Sequence, residues 1–138
     1  MSVTYVNTIT AREYNELRAL TDWFQYSERQ MQIGIDGSEY IIAAMDGEKV
    51  IGAARLISDG ACYGIIADVI VRPEYRGAGI GKHMVESIIE YVKSKLDEGE
   101  TYGLNLMAAK GRETFYEQLG FIRRNLDTGH GMAIRVKG

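Results

Sequence analysis

The spacing of apolar and polar residues divides the chain into segments with a period of two and segments with a helical period. Apolar runs rich in β-branched residues and bounded by glycine, aspartate or proline are typical of β-strands. The segments of this kind are residues 2–6, 38–45, 49–57, 61–71, 101–108, 121–124 and 132–136. Each of them is predicted to be a strand.

Apolar residues at steps of three and four predict four helices. The longest covers residues 79–98. One of its faces carries Ile80, Met84, Ile88 and Val92. The capping box formed by Thr10 and Glu13 predicts that the first helix starts after Thr10. A short second helix is predicted within residues 22–33, and the last one over residues 112–119.

The order of these elements predicts a mixed sheet. Asp46-Gly47 and Asp59-Gly60 are hairpin signals, so the strands beside them form an antiparallel meander. The long helix separates strand 61–71 from strand 101–108, and a strand–helix–strand connection places the two strands parallel. We therefore predict one domain, residues 1–138, of the α/β class (α+β mixed), with a mostly antiparallel sheet and helices on both faces.

Composition and charge exclude several functional classes. The chain has 138 residues, of which 46% are apolar and 25% charged, and a net charge of −3. Its lysines and arginines form no basic stripe of the kind that nucleic-acid binding requires. No apolar run approaches the roughly 20 residues of a membrane helix, and residues 1–10 lack a signal-peptide pattern. We therefore expect a cytoplasmic protein that binds neither nucleic acid nor a membrane.

Cysteine and histidine are too few for a disulfide or for a usual metal site. The single cysteine, Cys62, excludes an internal disulfide and fits a reducing compartment. Because it falls in a predicted strand, we expect a small buried apolar residue rather than a nucleophile. His83 and His130 form no zinc-ligand spacing with it, so we expect no metal.

The segment from Asp68 to Lys82 has the strongest chemical signal in the sequence. Pro73, the only proline, stops an apolar strand, and a glycine-rich stretch then leads into the long helix. Glycines allow a ligand to approach the backbone closely. The N–H groups of the first helical turn favour anions, most often phosphate. The segment therefore predicts a phosphate-binding loop.

Two common phosphate-binding loops do not fit the spacing. A dinucleotide-binding loop needs Gly-x-Gly-x-x-Gly, and here the third glycine, Gly81, comes one residue too early. A P-loop needs a glycine where Arg76 stands and a serine or threonine where His83 stands. A glycine-rich turn that only caps the helix is the structural alternative.

Arg76, Gly79 and Gly81, placed after a strand that ends near a proline, resemble the coenzyme A pyrophosphate loop of the GNAT superfamily of N-acetyltransferases. A second segment, residues 114–121, resembles the family's helix in which an aromatic-tyrosine pair is followed by Leu-Gly-Phe. The resemblance covers residues 66–121 at the level of motifs and nearly the whole chain in element order.

The resemblance implies an enzyme that moves an acetyl group from acetyl-CoA to a primary amine of a small molecule, a lysine or a protein N-terminus. In this family the parallel strand pair splays at a bulge, and the freed backbone groups bind the pantetheine arm. By resemblance, the residues in contact with acetyl-CoA are Val69, Ile70, Val71, Arg76, Gly77, Ala78, Gly79, Ile80, Gly81, Lys82, Phe115 and Tyr116.

The resemblance also implies two catalytic residues. Tyr116 stands where the family places the proton donor for the leaving thiolate, and an ordinary tyrosine, with a pKa near ~10, keeps its proton at neutral pH. Asp68 stands just before the bulge, where the family often has an acid that draws a proton from the ammonium through a water or binds the cation. Two structural alternatives stay open, namely packing for Tyr116 and the cap of a turn for Asp68.

The acceptor pocket is expected to be built from residues 23–28 and the meander. Trp23 and Phe24 lie near acidic residues, among them Glu28, and ring faces of this kind attract a cationic amine. Hydrophobic packing beneath a loop is the more common role of such a patch.

One position departs from the family pattern. Many members carry an asparagine that contacts the cofactor seven residues before the tyrosine, where this chain has Ala109. This departure favours a rival function, a non-catalytic module that senses acyl-CoA or binds a partner, whereas Tyr116 and Asp68 together favour the enzyme. The oligomeric state stays open, with a homodimer as one alternative.

Overall fold

The computed structural model describes residues 2–138, which form two compact units. The first unit extends to Leu106, and the second covers residues 107–138. The first contains β1 (Val3–Val6), α1 (Ala11–Arg18), α2 (Glu28–Asp36), β2 (Tyr40–Asp46), β3 (Lys49–Ser58), β4 (Tyr63–Val71), a 3-10 turn (Pro73–Tyr75), α3 (Ile80–Ser94) and β5 (Gly103–Leu106). The second contains α4 (Glu113–Glu117). The single domain predicted for residues 1–138 stays a prediction.

The sheet of the first unit has the predicted mixed topology. Its strands lie in the order β1-β2-β3-β4-β5. The pairs from β1 to β4 are antiparallel, and β4 pairs with β5 in parallel. The fold class is therefore confirmed as a mixed α/β chain with a mostly antiparallel sheet and a parallel strand pair.

Capping boxes start the first two helices. The Thr10 hydroxyl accepts a hydrogen bond from the Glu13 N–H at 3.1 Å, and the Glu13 carboxylate accepts one from the Thr10 N–H at 3.0 Å, as the sequence predicts. A second box, made by Ser27 and Gln30, starts α2. The helix α2 therefore begins inside the predicted range 22–33 and ends three residues beyond it, at Asp36.

The helix α3 is shorter than the predicted helix over residues 79–98. It ends at Ser94, and the chain then turns at Glu100. The Glu100 carboxylate accepts a hydrogen bond from the Asp97 N–H at 2.7 Å, while its own N–H donates to the Asp97 carbonyl at 3.0 Å. The apolar face of α3 is buried, as predicted. It consists of Ile80, Met84, Val85, Ile88 and Val92.

Helices cover both faces of the sheet. Neighbouring residues of a strand point to opposite faces. On β3, a Cβ at Gly52 would lie 3.3 Å from the Met84 side chain of α3, whereas Ala53 packs in a cluster with Tyr14 and Leu17 of α1. The helices α1 and α3 therefore lie on opposite faces, as predicted.

The second unit lacks the two strands predicted near the C-terminus. Residues 121–124 and 132–136 belong to no strand. Large apolar side chains there are exposed: Ile122, Met132, Ile134 and Val136. The prediction is wrong because alternation indicates only which side of a strand would be buried, whereas a strand forms when a partner supplies matching N–H and C=O groups. The turn expected between the segments is present, with the Thr128 N–H donating to the Asn125 side chain at 3.1 Å.

Cys62 is exposed rather than buried. The Asp59 carboxylate accepts hydrogen bonds from the N–H groups of Ala61, Cys62 and Tyr63 at 2.9, 2.8 and 3.2 Å. This turn delays the start of β4 to Tyr63. The expectation of a buried cysteine in a strand is therefore wrong.

From the sequence, we expect the helices and the potential metal ligands of residues 2–138 to form neither a membrane-spanning helix nor a metal site. No helix in this part of the chain is long and apolar enough to cross a membrane. No group of three or more His, Cys, Asp and Glu side chains there is placed to hold a metal ion. The cytoplasmic location stays a prediction.

Candidate functional site

The strand β4 separates from β5 and bulges at nearly the same place. Its parallel pairing with β5 ends at Ile66, opposite Leu106. On the other side the register with β3 shifts, so that Asp68 and Val69 together face Ala54. Asp68 has a φ of 62°, a conformation that costs a residue with a Cβ roughly 1–2 kcal/mol. Backbone groups of β4 beyond Ile66 that point away from β3 therefore find no partner on β5.

The glycine-rich loop after β4 presents a run of unpaired amides. Gly77 and Gly79 have φ values of 82° and 81°, and Gly79 is the N-cap of α3 without a side-chain cap. The first helical hydrogen bond runs from the His83 N–H to the Gly79 carbonyl at 3.0 Å. Within residues 2–138, the N–H groups of residues 77–82 have no acceptor. A Cβ at either glycine would meet no atom within 4 Å, so this backbone is open to a ligand.

Contacts with the β2–β3 hairpin hold the loop in place. The Tyr75 hydroxyl donates to the Asp46 carboxylate at 2.6 Å, and Nε of Arg72 donates to the Val50 carbonyl at 2.8 Å. Arg76 is exposed, and its Nε donates to a backbone carbonyl of β4 at 3.3 Å. Arg76 forms no ion pair with another described residue, so its charge is available beside the loop.

Asp68 lies in a buried cluster of charged groups. Its Oδ1 accepts a hydrogen bond from Nη1 of Arg18. Its Oδ2 accepts from the Tyr14 hydroxyl at 3.3 Å and from Nε of Arg55 at 3.4 Å. The side chains of Arg18, Arg55 and Asp68 are 3%, 10% and 10% exposed. Burial first, and then the charge of Asp68, raise the pKa of Tyr14 well above its ordinary value. Both carboxylate oxygens are therefore engaged by the protein itself.

The aromatic stretch, which contains Trp23, Phe24 and Tyr26, packs around Arg18. Its Cζ lies 4.4 Å from the ring centre of Tyr26, 5.4 Å from that of Trp23 and 5.9 Å from that of Phe24. The ring faces that we expect to attract a cationic amine therefore already face a cation of the protein. Glu28 is the exposed first residue of α2. A substrate-binding role for Trp23, Phe24 and Glu28 stays a prediction.

A pocket of about 290 Å³ lies where the aromatic stretch, α2 and β3 meet. Its lining consists of Tyr26, Gln30, Met31, Ile33, Gly34 and Arg55. Arg55 is the only charged residue among these six. Because Nε of Arg55 donates to Asp68, which directly precedes Val69, the pocket adjoins the bulge of β4.

Phe115 and Tyr116 lie on α4 in the second unit. Their rings meet edge to face with centres 4.9 Å apart, and the centre of Phe121 is 6.0 Å from that of Tyr116. Burial raises the pKa of Tyr116 above its ordinary value, against a smaller opposing effect of Arg112. The hydroxyl therefore keeps its proton at neutral pH, as a proton donor requires. Ala109, which stands where many family members have an asparagine, lies in the same unit. Its carbonyl accepts a hydrogen bond from the Arg112 N–H at 2.9 Å.

The partners of Asp68 are candidate site residues that the sequence analysis misses. Tyr14, Arg18 and Arg55 lie 54, 50 and 13 residues from it along the chain. The one local signal is that Arg55 interrupts a strand whose neighbouring positions are small or apolar and buried. A charged residue in such a run requires a buried partner, and this argument could have singled out Arg55.

Comparison with known proteins points consistently to one family. A family model described as an acetyltransferase (GNAT) domain matches residues 36–123. An uncharacterized N-acetyltransferase, ycf52, of Pyropia yezoensis is 30% identical over 115 residues, which are 78% of this chain and 64% of that protein. A glucosamine 6-phosphate N-acetyltransferase of Trypanosoma brucei brucei is 35% identical over 79 residues, which are 53% of this chain and 51% of that protein.

A solved structure shares the fold over almost the entire chain. The crystal structure of a probable acetyltransferase of unknown function from meticillin-resistant Staphylococcus aureus superposes with a TM-score of 0.88 and 25% identity. The match covers 98% of this chain and 100% of that one. The chain spans 64% and 51% of the lengths of the two curated relatives, so the similarity to them is that of a shared domain.

Proposed function

Because the chain belongs to the GNAT family of acetyltransferases, we propose that it transfers an acetyl group from acetyl-CoA to a primary amine. The observation that carries the proposal is the run of unpaired N–H groups on residues 77–82. This run follows a strand that has just separated from its parallel neighbour. Unpaired amides at the start of a helix favour a phosphate group, and an unpaired strand edge favours an extended chain.

The residues of this region fit the pyrophosphate and pantetheine parts of acetyl-CoA. The amides of residues 77–82 would bind the pyrophosphate, with Arg76 and Lys82 as exposed cations beside them. The two loop glycines leave open the space that a Cβ would fill. The backbone of residues 69–71 would bind the pantetheine arm as an added strand. Contact with Phe115 is proposed on the family resemblance alone.

Acetyl-CoA, when bound, supplies the acetyl group: a bond forms between the amine nitrogen and the acetyl carbon as the carbon–sulfur bond breaks, and the sulfur leaves as a thiolate. We propose that Tyr116 donates its phenolic proton to this sulfur, while the nitrogen loses one proton to water and water returns a proton to the phenolate. Burial raises the pKa of Tyr116, so the proton is present at neutral pH. A backbone N–H of residues 69–71 would polarise the thioester carbonyl.

Asp68 has a positioning role in this proposal. Its two oxygens accept hydrogen bonds from Arg18, Arg55 and Tyr14, so three of its roughly four acceptor positions hold groups of the protein. The amine would then reach the site in its neutral form, without a dedicated base. The role of Asp68 as proton acceptor stays a prediction.

A non-catalytic acyl-CoA sensor is the second candidate. Ala109 favours it, because its methyl group cannot replace the cofactor contact of the family's usual asparagine. The two candidates share cofactor binding and differ in turnover. Whether the acceptor is a small amine, a lysine or an N-terminal amine belongs to the proposal, and a homodimer stays a prediction.

Cofactor binding and turnover are tested by two measurements. Acetyl-CoA at about 100 times its Kd should stabilise the protein by about 2.7 kcal/mol and raise its melting temperature. Thiol release from acetyl-CoA should then depend on the amine across a panel of small amines and lysine peptides. A thermal shift without thiol release for any amine would support the sensor. The absence of both would overturn cofactor binding.

Tyr116→Phe tests the proton donor. Because the substitution removes only the hydroxyl, we expect kcat to fall by ~100-fold or more, while the Kd for acetyl-CoA stays within about twofold. Tyr63→Phe, at a tyrosine that is 56% exposed at the start of β4, is the matched control and should keep the wild-type kcat. Unchanged turnover in Tyr116→Phe would show that another group protonates the thiolate.

A further inference from the structure

The pocket beside the β4 bulge contains a positive charge that the protein neutralises only in part. Arg55 lines this pocket, and its side chain is 10% exposed. With Arg18 and Asp68 it forms a cluster of two guanidinium groups and one carboxylate. Tyr14 adds no negative charge at neutral pH, because burial and Asp68 raise its pKa. The cluster therefore has a net charge of +1.

The two guanidinium groups differ in which of their unpaired nitrogens a ligand can reach: the unpaired Nε of Arg18 is buried, and no unpaired nitrogen of Arg55 is. Arg18 is surrounded by three aromatic rings and donates to both Asp68 and the Phe24 carbonyl. Arg55 donates through Nε to Asp68 at 3.4 Å, and through Nη1 to the Gly34 carbonyl at 3.2 Å and the Ser38 hydroxyl at 3.3 Å. Two of these three partners are neutral. Within residues 2–138, Nη2 of Arg55 takes part in no hydrogen bond and is not fully buried, so a ligand in the pocket can accept from it.

A glycine and apolar side chains surround this guanidinium group in the pocket. Gly34 lies directly beside it, since a Cβ there would be in van der Waals contact with Nη1 of Arg55 at 3.4 Å and with Cε of Met31 at 3.6 Å. Met31, Ile33 and the Tyr26 ring supply apolar surface around it. The volume of about 290 Å³ is at the lower end of small-molecule sites. A small ligand with one anionic group fits this combination.

We propose that the acceptor amine carries an anionic group, a carboxylate or a phosphate, which Arg55 binds in this pocket. The inference rests on the proposed function, because it assigns the acceptor of that reaction. An acceptor held by Arg55 would lie beside Asp68, and Val69 follows Asp68 in the bulge. A planar guanidinium group binds carboxylate and phosphate alike through parallel N–H groups.

Matched pairs of amines test the charge of the acceptor. β-Alanine is compared with β-alaninamide, and 2-aminoethyl phosphate with ethanolamine, on the full chain at saturating acetyl-CoA, with rates expressed per neutral amine. We expect kcat/KM of the anionic member to be about 10–100-fold higher in at least one pair. The pair that shows the difference identifies carboxylate or phosphate. Equal or higher kcat/KM for both neutral members would overturn the proposal.

Substitutions of Arg55 test the residue. In Arg55→Gln the preference for the anionic member should fall to about threefold or less, and Arg55→Lys should keep part of it. Both members of a pair are measured on one preparation, so a partial loss of folded protein cancels in the ratio. Arg29→Gln removes an exposed arginine of α2 outside the lining and should keep the wild-type ratio. A preference that persists in Arg55→Gln would overturn the assignment.

A binding measurement separates this inference from the proposed function. If no amine is acetylated, the same pairs are titrated by calorimetry onto protein saturated with CoA, and the ratio of Kd values replaces the ratio of kcat/KM. Tighter binding of an anionic member that is lost in Arg55→Gln would support the site in a protein without turnover. Equal Kd values within both pairs, or no binding of any member, would overturn it.

Discussion

Asp68 occupies left-handed backbone in the middle of β4, and side chains of α1 and β3 hold its carboxylate. This backbone conformation costs a residue with a Cβ roughly 1–2 kcal/mol. Removal of the carboxylate would also leave Arg18 and Arg55 buried without an anion, which typically costs about 3–5 kcal/mol. The ion pairs therefore offset the backbone strain, and a single residue stabilises both the bulge and the charge cluster.

Two substitutions of Asp68 separate the backbone strain from the loss of the carboxylate. We expect Asp68→Ala to lower the free energy of unfolding by about 3–5 kcal/mol. Asp68→Gly should lower it by about 1 kcal/mol less, since glycine adopts positive φ without strain. Urea denaturation measures both, and equal losses would show that strain at this residue is negligible.

A third substitution, Asp68→Asn, tests whether Asp68 acts as a base. It should keep the shape of the pH–rate profile. The loss of an acidic limb in that variant would support Asp68 as the base instead.

The start of α3 is the element on which the proposed cofactor site depends. Gly79 has a φ of 81°, and the space around its missing Cβ is empty for 4 Å. A Cβ at Gly79 would meet no other part of the described protein and would stand beside the amides of the first helical turn. Its effect on binding can therefore be separated from its effect on folding.

Gly79→Val and Gly99→Val form a matched pair at the two ends of the α3 region. Gly99 also has a positive φ, 85°, and the same empty surroundings. We expect both variants to lose at least about 1–2 kcal/mol of stability, and only Gly79→Val to raise the Kd for CoA, by about tenfold or more. Urea denaturation and calorimetric titration measure the two effects. Equal CoA affinity in both variants would remove the loop from the cofactor site.

Elements with local signals are predicted well from the sequence. The Thr10 capping box, the Asp46-Gly47 hairpin and the apolar face of α3 lie where we expect them. Each signal is a contact or a periodicity within a few residues, so tertiary structure need not be known. The ends of elements are predicted less well, because side chains compete for the same backbone groups, as Asp59 does before β4.

At the scale of the molecule, the buried cluster links stability to pH. Tyr14 is fully buried and donates its hydroxyl proton to Asp68. Burial first, and then the charge of Asp68, raise its pKa well above the ordinary value of 10.0. Above about pH 10 the unfolded chain therefore loses this proton while the folded chain keeps it. The free energy of unfolding falls in that range by up to about 1.4 kcal/mol per pH unit for this one group.

Tyr14→Phe should flatten this alkaline loss of stability. Below about pH 9 we expect the variant to be less stable than the wild type by roughly 1 kcal/mol, for the lost hydrogen bond to Asp68. Between about pH 10 and pH 11 the two stability curves should converge, because only the wild type loses stability through Tyr14. Urea denaturation at a series of pH values measures both curves. Curves that stay parallel across this range would show that Tyr14 is not the group responsible.

The sequence by itself determined the elements of the first unit and their order, because helical period, capping boxes and turn residues act over a few neighbouring positions. Tertiary structure alone decided the surroundings of Asp68 and the pocket at Arg55, since those groups come from α1, α2, β3 and β4. It also decided that the alternating segments after residue 120 are not strands, because a strand exists only where a distant segment pairs with it.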